Sequence, residues 1–229
     1  MSEFLERCDR ACERGWGRVH DGPFFRHLRE HGLDRALYVR LMTEIWHYTR
    51  HNAQNQALAA VRVDSSRLPL LRFCLQHARE EAGHDLMVLG DLEAVGVPRA
   101  AVLAQRPLPE TEGFVAYVYR VAAERDATAR LGYSYWAESC YPYIDGLLVA
   151  MRRDLGLADR DMTFFVAHAE VDVDHFREVR EVAERFCDTP ERREAMLTVL
   201  EDTLALTGRM LDAVHVAWSE ASEPAVAVR

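Results

Sequence analysis

The chain has 229 residues, 49% of them hydrophobic, and a formal net charge of −9 at pH 7. The acidic balance and the lack of a dense arginine block argue against a nucleic-acid partner and against an anionic membrane surface. No run of 18 apolar residues occurs and the first residues mix acids with bases, so we expect a cytoplasmic protein without a membrane span. All 28 basic residues are arginine, which excludes a Schiff-base lysine.

Apolar residues recur at intervals of three and four nearly throughout the chain, which predicts an all-α protein. The predicted helices cover, in chain order, about 3–15, 23–30, 34–61, 67–96, 110–126, 128–154, 158–187 and 190–218, with turn and cap residues at 64–66. The proline-rich stretch 96–109 is a predicted connector. Long helices joined by short turns indicate antiparallel neighbours in one bundled domain, 1–229, with residues 220–229 as a disordered tail.

A pattern with metal-ligand spacing, His-x3-(Asp/Glu)-x2-His, stands out in this chain. It occurs twice, as His77, Glu81 and His84 and as His168, Asp172 and His175. Offsets of 0, 4 and 7 place three side chains on one stripe of a helix. With 10 His and 37 acidic residues, about 0.07 copies are expected by chance. The repetition therefore indicates a metal site between facing helices.

The ligand types in these stripes favour iron. The Glu81-x2-His84 pair has the spacing with which helix bundles present a carboxylate and an imidazole to iron or manganese. Two imidazoles and a carboxylate, as in the second stripe, suit non-haem Fe(II) and O2 chemistry better than a structural zinc site. Glu44 is a further candidate, because a carboxylate in an apolar and aromatic stretch needs a partner. His77, two turns before His84, is expected to miss the metal, and a role as a ligand or as a hydrogen-bond partner of a ligand is the alternative.

Each of these groups also has a plainer interpretation. Glu81 lies in an Arg-Glu-Glu run that would suit a solvated helix face, and His168 and His175 would also fit as hydrogen-bonded core residues. Asp172 and Asp174 alternate with valines, so only one of the two acids faces inward, and the triad spacing selects Asp172.

The order Glu44, Glu81-x2-His84, His168-x3-Asp172-x2-His175 resembles the haem-oxygenase-like di-iron oxidases and oxygenases. The resemblance implies a haem-oxygenase-like bundle of about seven or eight helices. It also implies two Fe(II) ions per chain, with O2 as co-substrate, and an easily lost second iron. By this resemblance Glu81, His84 and His168 would bind one iron, and Glu44, Asp172 and His175 the other. We also expect a homodimer and an external electron donor.

Tyr48 and Glu138 are the predicted catalytic side chains. Tyr48 follows Glu44 by one helical turn and could orient a ligand or assist the oxygen chemistry, or be a satisfied core group. Glu138 lies in an aromatic segment before Pro142, which should kink its helix. Glu138 could bind metal, pair with a cationic substrate, or be an exposed acid. An acid in an aromatic pocket would favour an amine or amino-acid substrate.

The leading hypothesis is an O2-dependent di-iron oxidase or oxygenase that acts on a small metabolite, by N-oxygenation or oxidation of an amine or amino acid. Desaturation or C–C cleavage of a fatty acid or amino acid is an alternative outcome at the same site. A metal-free enzyme similar to thiaminase II, with Cys140 as nucleophile, is a second class. A ferritin-like iron-binding bundle, which would leave His168 idle, is a third.

Overall fold

The computed structural model describes the backbone of residues 2–222, and their side chains except those of 170–173 and 222. Over this range the chain forms twelve α-helices and no strand. The helices are α1 (Glu3–His20), α2 (Pro23–His31), α3 (Arg35–Thr49), α4 (Asn52–Ala60), α5 (Leu68–Glu80), α6 (His84–Ala94), α7 (Arg99–Leu103), α8 (Pro109–Glu124), α9 (Ala127–Glu138), α10 (Tyr141–Leu155), α11 (Thr163–Phe186) and α12 (Pro190–Ser222). Short 3₁₀ turns precede α5 and α11.

Three helices that the sequence predicts as continuous are each divided in two, so the helix number exceeds seven or eight. α3 and α4 meet at Arg50 and His51, where no proline or glycine lies. α5 and α6 are separated by a turn that ends at Gly83, whose φ of 99° is a conformation that favours glycine. α9 and α10 are separated just before Pro142, which has no N–H with which to continue the α9 ladder.

The centre of the bundle is α9. Every residue from 127 to 136 is buried, and the helix is surrounded by α4, α8, α11 and α12. Gly132 permits the closest of these contacts, because a Cβ at this position would lie 2.3 Å from the carbonyl oxygen of Met196 on α12. The helix therefore carries its last residue, Glu138, into the interior of the molecule, where it is 8% exposed.

The all-α prediction is confirmed over the described range. Helix α12 continues to Ser222, four residues beyond the predicted end, and the rest of the predicted tail, residues 223–229, lies outside the described residues. The assignment of 1–229 to a single domain stays a prediction. None of the described helices combines the length and apolar character that a bilayer crossing requires.

Candidate metal centre

Two groups of imidazoles and carboxylates lie beside the inner end of α9. The first cluster consists of Glu81, His84 and His168, and the second of His77, Glu138 and His175. Within each cluster the candidate ligand atoms all lie within 4.8 Å of one another. Both clusters contain one carboxylate and two imidazoles, a donor set that suits iron, manganese or another divalent transition metal.

The imidazoles of the two clusters pair across the contacts of α11 with α5 and α6. His84 of α6 and His168 of α11 have ring centroids 4.6 Å apart, and His77 of α5 and His175 of α11 have centroids 5.6 Å apart. The turn that ends at Gly83 interrupts the continuous helix that the sequence predicts for the first motif. Its two histidines, His77 and His84, therefore belong to different clusters. Each His-x3-(Asp/Glu)-x2-His copy therefore contributes one imidazole to each cluster.

The second cluster is organised around Glu138. Its Oε1 lies 3.1 Å from Nε2 of His77, and its Oε2 lies 3.6 Å from Nδ1 of His175. The other nitrogen of the His175 ring, Nε2, lies 3.5 Å from Oε2 of Glu80. The Glu138 and His77 side chains are only 5% and 7% exposed. Water therefore does little to satisfy either group.

Glu81 connects the two clusters. Its Oε1 lies 3.5 Å from Nδ1 of His84 and 3.9 Å from Nε2 of His77. Its Oε2 accepts a hydrogen bond from the Asn52 side-chain amide at 3.3 Å, and the Tyr133 hydroxyl donates to Oδ1 of Asn52 at 2.6 Å. Both clusters thus share one continuous polar centre, and Asn52 fixes the carboxylate at its middle.

The neighbouring histidines hold both carboxylates of this centre in their charged form. Burial raises the pKa of Glu81, but contact with His84 and the charge of His77 outweigh this and lower it to about 2. The pKa of Glu138 is also lowered, because contacts with His175 and His77 outweigh its burial. Both carboxylates are therefore ionised at neutral pH. Among the described residues their salt bridges involve only histidines.

The tautomer of His168 gives a direct test of whether a metal ion fits. Its Nδ1–H donates to the carbonyl of Phe164 at 2.6 Å, and burial lowers the pKa of the ring, so the neutral ring presents a lone pair at Nε2. Nδ1 of His84 is buried and has no hydrogen-bond partner, although Glu81 lies beside it. A shared cation would satisfy both rings and the carboxylate, so the residues present fit a metal ion.

Glu44 belongs to neither cluster of the described residues, and its assignment as a ligand stays a prediction. The side chain is fully buried, as the sequence indicates. Its Oε2 accepts the backbone N–H of Leu108 at 3.0 Å, and its Oε1 lies 3.4 Å from a guanidinium nitrogen of Arg40. The Leu108 N–H thus satisfies one oxygen, whereas the other is buried without a hydrogen bond and faces only the Arg40 guanidinium.

Of the other predicted site residues, the side chain of Asp172 lies outside the described residues, so its role as a ligand stays a prediction. Tyr48 lies in a cavity wall, packed against Phe114 and Trp136, and burial raises its pKa well above the ordinary value. It is not a member of either cluster. Glu138, predicted as catalytic, lies among the candidate ligands instead.

His77 is the residue that sequence reasoning placed outside the site. A continuous helix would leave it two turns behind His84, but the break before Gly83 allows α5 to direct it toward Glu138. The sequence offers no clear signal for this break, because a single glycine is tolerated inside a helix. The signal for Glu138 as a ligand was a lone acid in a segment whose other residues are almost all buried.

A cavity adjoins the centre and has a volume of about 110 Å³. Glu81, Glu138 and His168 contribute to its wall, so both clusters open on it. The rest of the lining is mainly apolar and aromatic, and includes Cys140. One water molecule occupies about 10–15 Å³ of such a cavity. At the same volume for each non-hydrogen atom, the cavity holds on the order of ten of them. A small organic molecule therefore fits beside the centre.

The fold and the site define an all-α protein with two histidine–carboxylate clusters that could hold metal ions. Residues 39–208 match a family described as iron-containing redox enzymes. Because this match spans most of the chain, the protein belongs to that family. A domain of unknown function with a haem oxygenase-like fold from Shewanella denitrificans is 39% identical, with a TM-score of 0.93 over 96% of each chain. The predicted haem-oxygenase-like fold is thereby confirmed.

Two further relatives are more distant. A 4-aminobenzoate synthase from Nitrosomonas europaea is 25% identical over 167 residues, which are 72% of this chain and 66% of that protein. This chain thus matches slightly less than two thirds of the relative's length. A TenA homologue from Pseudomonas syringae pv. tomato is 13% identical, with a TM-score of 0.77 and 93% of each chain covered. The latter likeness shows the fold alone.

Proposed function

We propose that this protein is a non-haem di-iron oxidase or oxygenase that uses O2 to oxidise a small organic molecule. The observation that carries the proposal is the continuity of the two clusters through Glu81, whose Oε1 lies within 4 Å of an imidazole nitrogen from each. Paired metal ions in enzymes lie about 3.5–4 Å apart and share ligands in this way. Membership of a family of iron-containing redox enzymes supports iron as the metal.

The two ions would have different ligands in this proposal. Glu81, His84 and His168 would hold one, and His77, Glu138 and His175 the other. Asp172 remains a proposed ligand of the second ion from its sequence spacing. Bound as Fe(II), the pair would supply the two electrons with which O2 is activated.

The protein's own groups would bind and orient the substrate and keep water away. The apolar cavity wall lowers the local dielectric and excludes water from the centre. Asn52 holds Glu81 in one orientation, and Tyr133 holds Asn52. Tyr48 is protonated at neutral pH, because burial raises its pKa, so its hydroxyl is available as a hydrogen-bond donor in the cavity wall.

The substrate would be a small, mainly apolar or aromatic molecule. The apolar and aromatic lining supports this, and the Nitrosomonas relative is a 4-aminobenzoate synthase, whose product is an aromatic amine. An amine or amino acid stays part of the proposal on the strength of the aromatic wall. Glu138 gives it less support than the sequence indicated, because His77 and His175 already contact both carboxylate oxygens. A homodimer, a cytoplasmic location and an external electron donor are further proposals.

Anaerobic titration with Fe(II), followed by exposure to O2, tests the di-iron assignment. We expect two irons per chain and O2 consumption that depends on both clusters. His84→Ala should lose one iron and His77→Ala the other, while His51→Ala, whose ring contacts Tyr119 outside both clusters, should keep two. Failure of the wild type to bind iron would contradict the proposal.

One observation favours a second candidate, the metal-free enzyme with Cys140 as nucleophile. The Cys140 side chain lies in the cavity wall, and the fold is shared with a TenA homologue. In that case Cys140→Ser should abolish activity while His84→Ala leaves it unchanged. The ferritin-like alternative is not proposed, because it required Glu44 as a ligand and left His168 idle, whereas His168 lies in the first cluster.

A further inference from the structure

A positive charge is buried in α9, about two turns before Glu138. Arg130 is only 3% exposed. Its Nε and one terminal nitrogen both donate to Oδ1 of Asn55, at 2.9 and 2.6 Å, and the other terminal nitrogen donates to Oγ of Ser134 at 2.6 Å. Both partners are neutral, and Arg130 forms no salt bridge with any of the described side chains. Its hydrogen bonds are thus satisfied, whereas no contacting acid neutralises its charge.

The opposite charge that this guanidinium needs is supplied by the carboxylates of the candidate metal centre. A buried charge without a contacting counter-ion is costly unless opposite charge lies nearby. Burial lowers the pKa of Arg130, and the charges of Glu81 and Glu138 are among the groups that oppose this shift. Arginine keeps its proton in proteins, so the charge is permanent. Arg130 therefore balances part of the negative charge of these two carboxylates from a distance.

A chain of contacts joins Arg130 to the centre. Its guanidinium carbon lies 4.5 Å from the centroid of the Tyr133 ring, in a cation–π contact. The Tyr133 hydroxyl donates to Asn52, and the Asn52 amide donates to Glu81. Arg130 and Tyr133 are both buried, so water screens the charge poorly and these contacts fix its position.

We infer that Arg130 is a charge-balancing residue of the proposed metal centre, where it weakens the binding of cations and favours Fe(II) over Fe(III). The inference rests on the proposed function. A fixed positive charge repels a bound cation, and it repels Fe(III) more strongly than Fe(II). The reduction potential of bound iron is therefore higher than it would be without the guanidinium. Iron at such a centre is easier to reduce and is held less tightly.

The first measurement is a titration of the metal-free, full-length protein with Co²⁺, followed by the absorbance of the bound ion. Arg130→Gln removes the charge and keeps an amide donor for Asn55, so it should bind Co²⁺ about tenfold or more tightly than the wild type. Arg130→Lys keeps the charge and should bind as the wild type does. A substitution that only loosened the fold would weaken binding, so the sign of the change separates an electrostatic role from a structural one.

Arg67→Gln is the matched control. Arg67 is also largely buried, but it makes two hydrogen bonds to the carboxylate of Asp126, its own counter-ion. It precedes α5, whereas Glu81 follows α5, so the 13 residues of this helix separate the two side chains by about 20 Å along its axis. Arg67→Gln should lose stability and bind Co²⁺ with wild-type affinity.

The second measurement is a redox titration of the iron-loaded protein. Arg130→Gln should have a lower midpoint potential than the wild type, and Arg130→Lys should have the wild-type potential. Circular dichroism and urea denaturation show whether each variant is folded. Arg130→Met is a second neutral variant for both measurements if Arg130→Gln does not fold.

Three results would overturn the inference. They are a folded neutral variant that binds Co²⁺ no more tightly than the wild type, a neutral variant with an unchanged midpoint potential, and Arg130→Lys shifted as far as Arg130→Gln. The wild type tests the proposed function separately. A wild-type protein that binds Co²⁺ but no Fe(II) would contradict the di-iron proposal, while the comparison of Co²⁺ affinities would still decide the role of Arg130.

Discussion

Asp91 of α6 accepts hydrogen bonds from both the backbone N–H and the hydroxyl of Thr163, the first residue of α11, at 2.8 and 2.7 Å. Its second oxygen accepts the N–H of Phe164 at 3.0 Å. α11 has no capping side chain of its own at this end. The helix that carries His84 therefore caps the helix that carries His168, so we expect this contact to help set the distance between these two proposed ligands.

Removal of the Asp91 carboxylate should weaken both the fold and the first cluster. Asp91→Ala leaves buried donors unsatisfied, so we expect the free energy of unfolding to fall by about 2–3 kcal/mol. Asp91→Asn keeps one acceptor and should lose less. Urea denaturation measures the stability, and a competition titration with a chelator measures iron affinity, which should fall as well. Unchanged iron affinity in a folded Asp91→Ala protein would show that α6 and α11 are aligned by other contacts.

Gly83→Ala tests the turn between α5 and α6. The positive φ of 99° is strained for alanine even though a Cβ would have open space, so a loss of about 1 kcal/mol is expected. Gly90→Ala is the matched control, since a Cβ there also meets nothing within 4 Å but the position is helical. It should raise stability by up to about 1 kcal/mol. Equal effects at both positions would contradict the role assigned to Gly83.

Gly132→Ala tests the contact of α9 with α12. The added Cβ would lie 2.3 Å from the Met196 carbonyl oxygen and 2.6 Å from the Leu200 nitrogen, and backbone atoms cannot move aside locally. We expect a loss of about 1–3 kcal/mol in thermal or urea unfolding. Gly146→Ala, in α10 with open space around its Cβ, should be neutral or stabilising. Unchanged stability of Gly132→Ala would mean that α9 and α12 can move apart without a loss in the free energy of unfolding.

Asn52→Ala tests the orientation of Glu81. The substitution removes the amide that holds the carboxylate and the acceptor of the Tyr133 hydroxyl. Loss of such supporting hydrogen bonds lowers metal affinity by about 10–100-fold. Iron bound at the first cluster should therefore be released more readily to a chelator. Gln54→Ala, at an exposed position of the same helix, is the control. If both variants retain iron equally, Asn52 does not position Glu81.

Acid sensitivity of the fold should depend on Asp126. Burial raises its pKa, but the two hydrogen bonds from Arg67 and the cap on Thr128 outweigh this and lower it to about 2. Because the folded pKa lies below the ordinary 3.8, the carboxylate stabilises the fold above that pH and loses this contribution as the pH falls toward 2.

Asp126→Asn should therefore be less stable than the wild type at pH 7, and the difference should shrink between pH 4 and pH 2. Asp126→Ala, which also loses the helix cap, should be lower by about 1–2 kcal/mol at pH 7. Urea denaturation at several pH values measures both effects. A difference that does not vary with pH would show that the charge is not involved.

The sequence predicts the helical class because apolar periodicity is a local property of each segment. The breaks between helices are harder to predict from the sequence. A glycine such as Gly83 is tolerated inside a helix, and only its observed φ identifies the turn. The division between α3 and α4 has neither a proline nor a glycine to mark it. Element type was thus predictable, whereas the directions of α5 and α6 relative to each other were not.

The candidate site was predictable in its chemistry and only partly in its members. Glu44 and Glu138 are both buried acids in apolar, aromatic segments, and no local pattern separates them. The difference lies in their tertiary contacts. Glu44 accepts a hydrogen bond from the N–H of Leu108, 64 residues away, whereas Glu138, at the end of α9, contacts His77. Side-chain partners of this kind cannot be found from periodicity.

The pairing of His77 with His175 and of His84 with His168 has a consequence for the two proposed metal positions. The partners run in opposite chain directions with the same spacing of seven residues, so each cluster takes one imidazole from α11 and one from α5 or α6. The carboxylates are not divided in this way, because Glu81 lies between the pairs and Glu138 belongs to one of them alone. We therefore expect a difference in affinity or redox potential between two bound ions to follow the carboxylates.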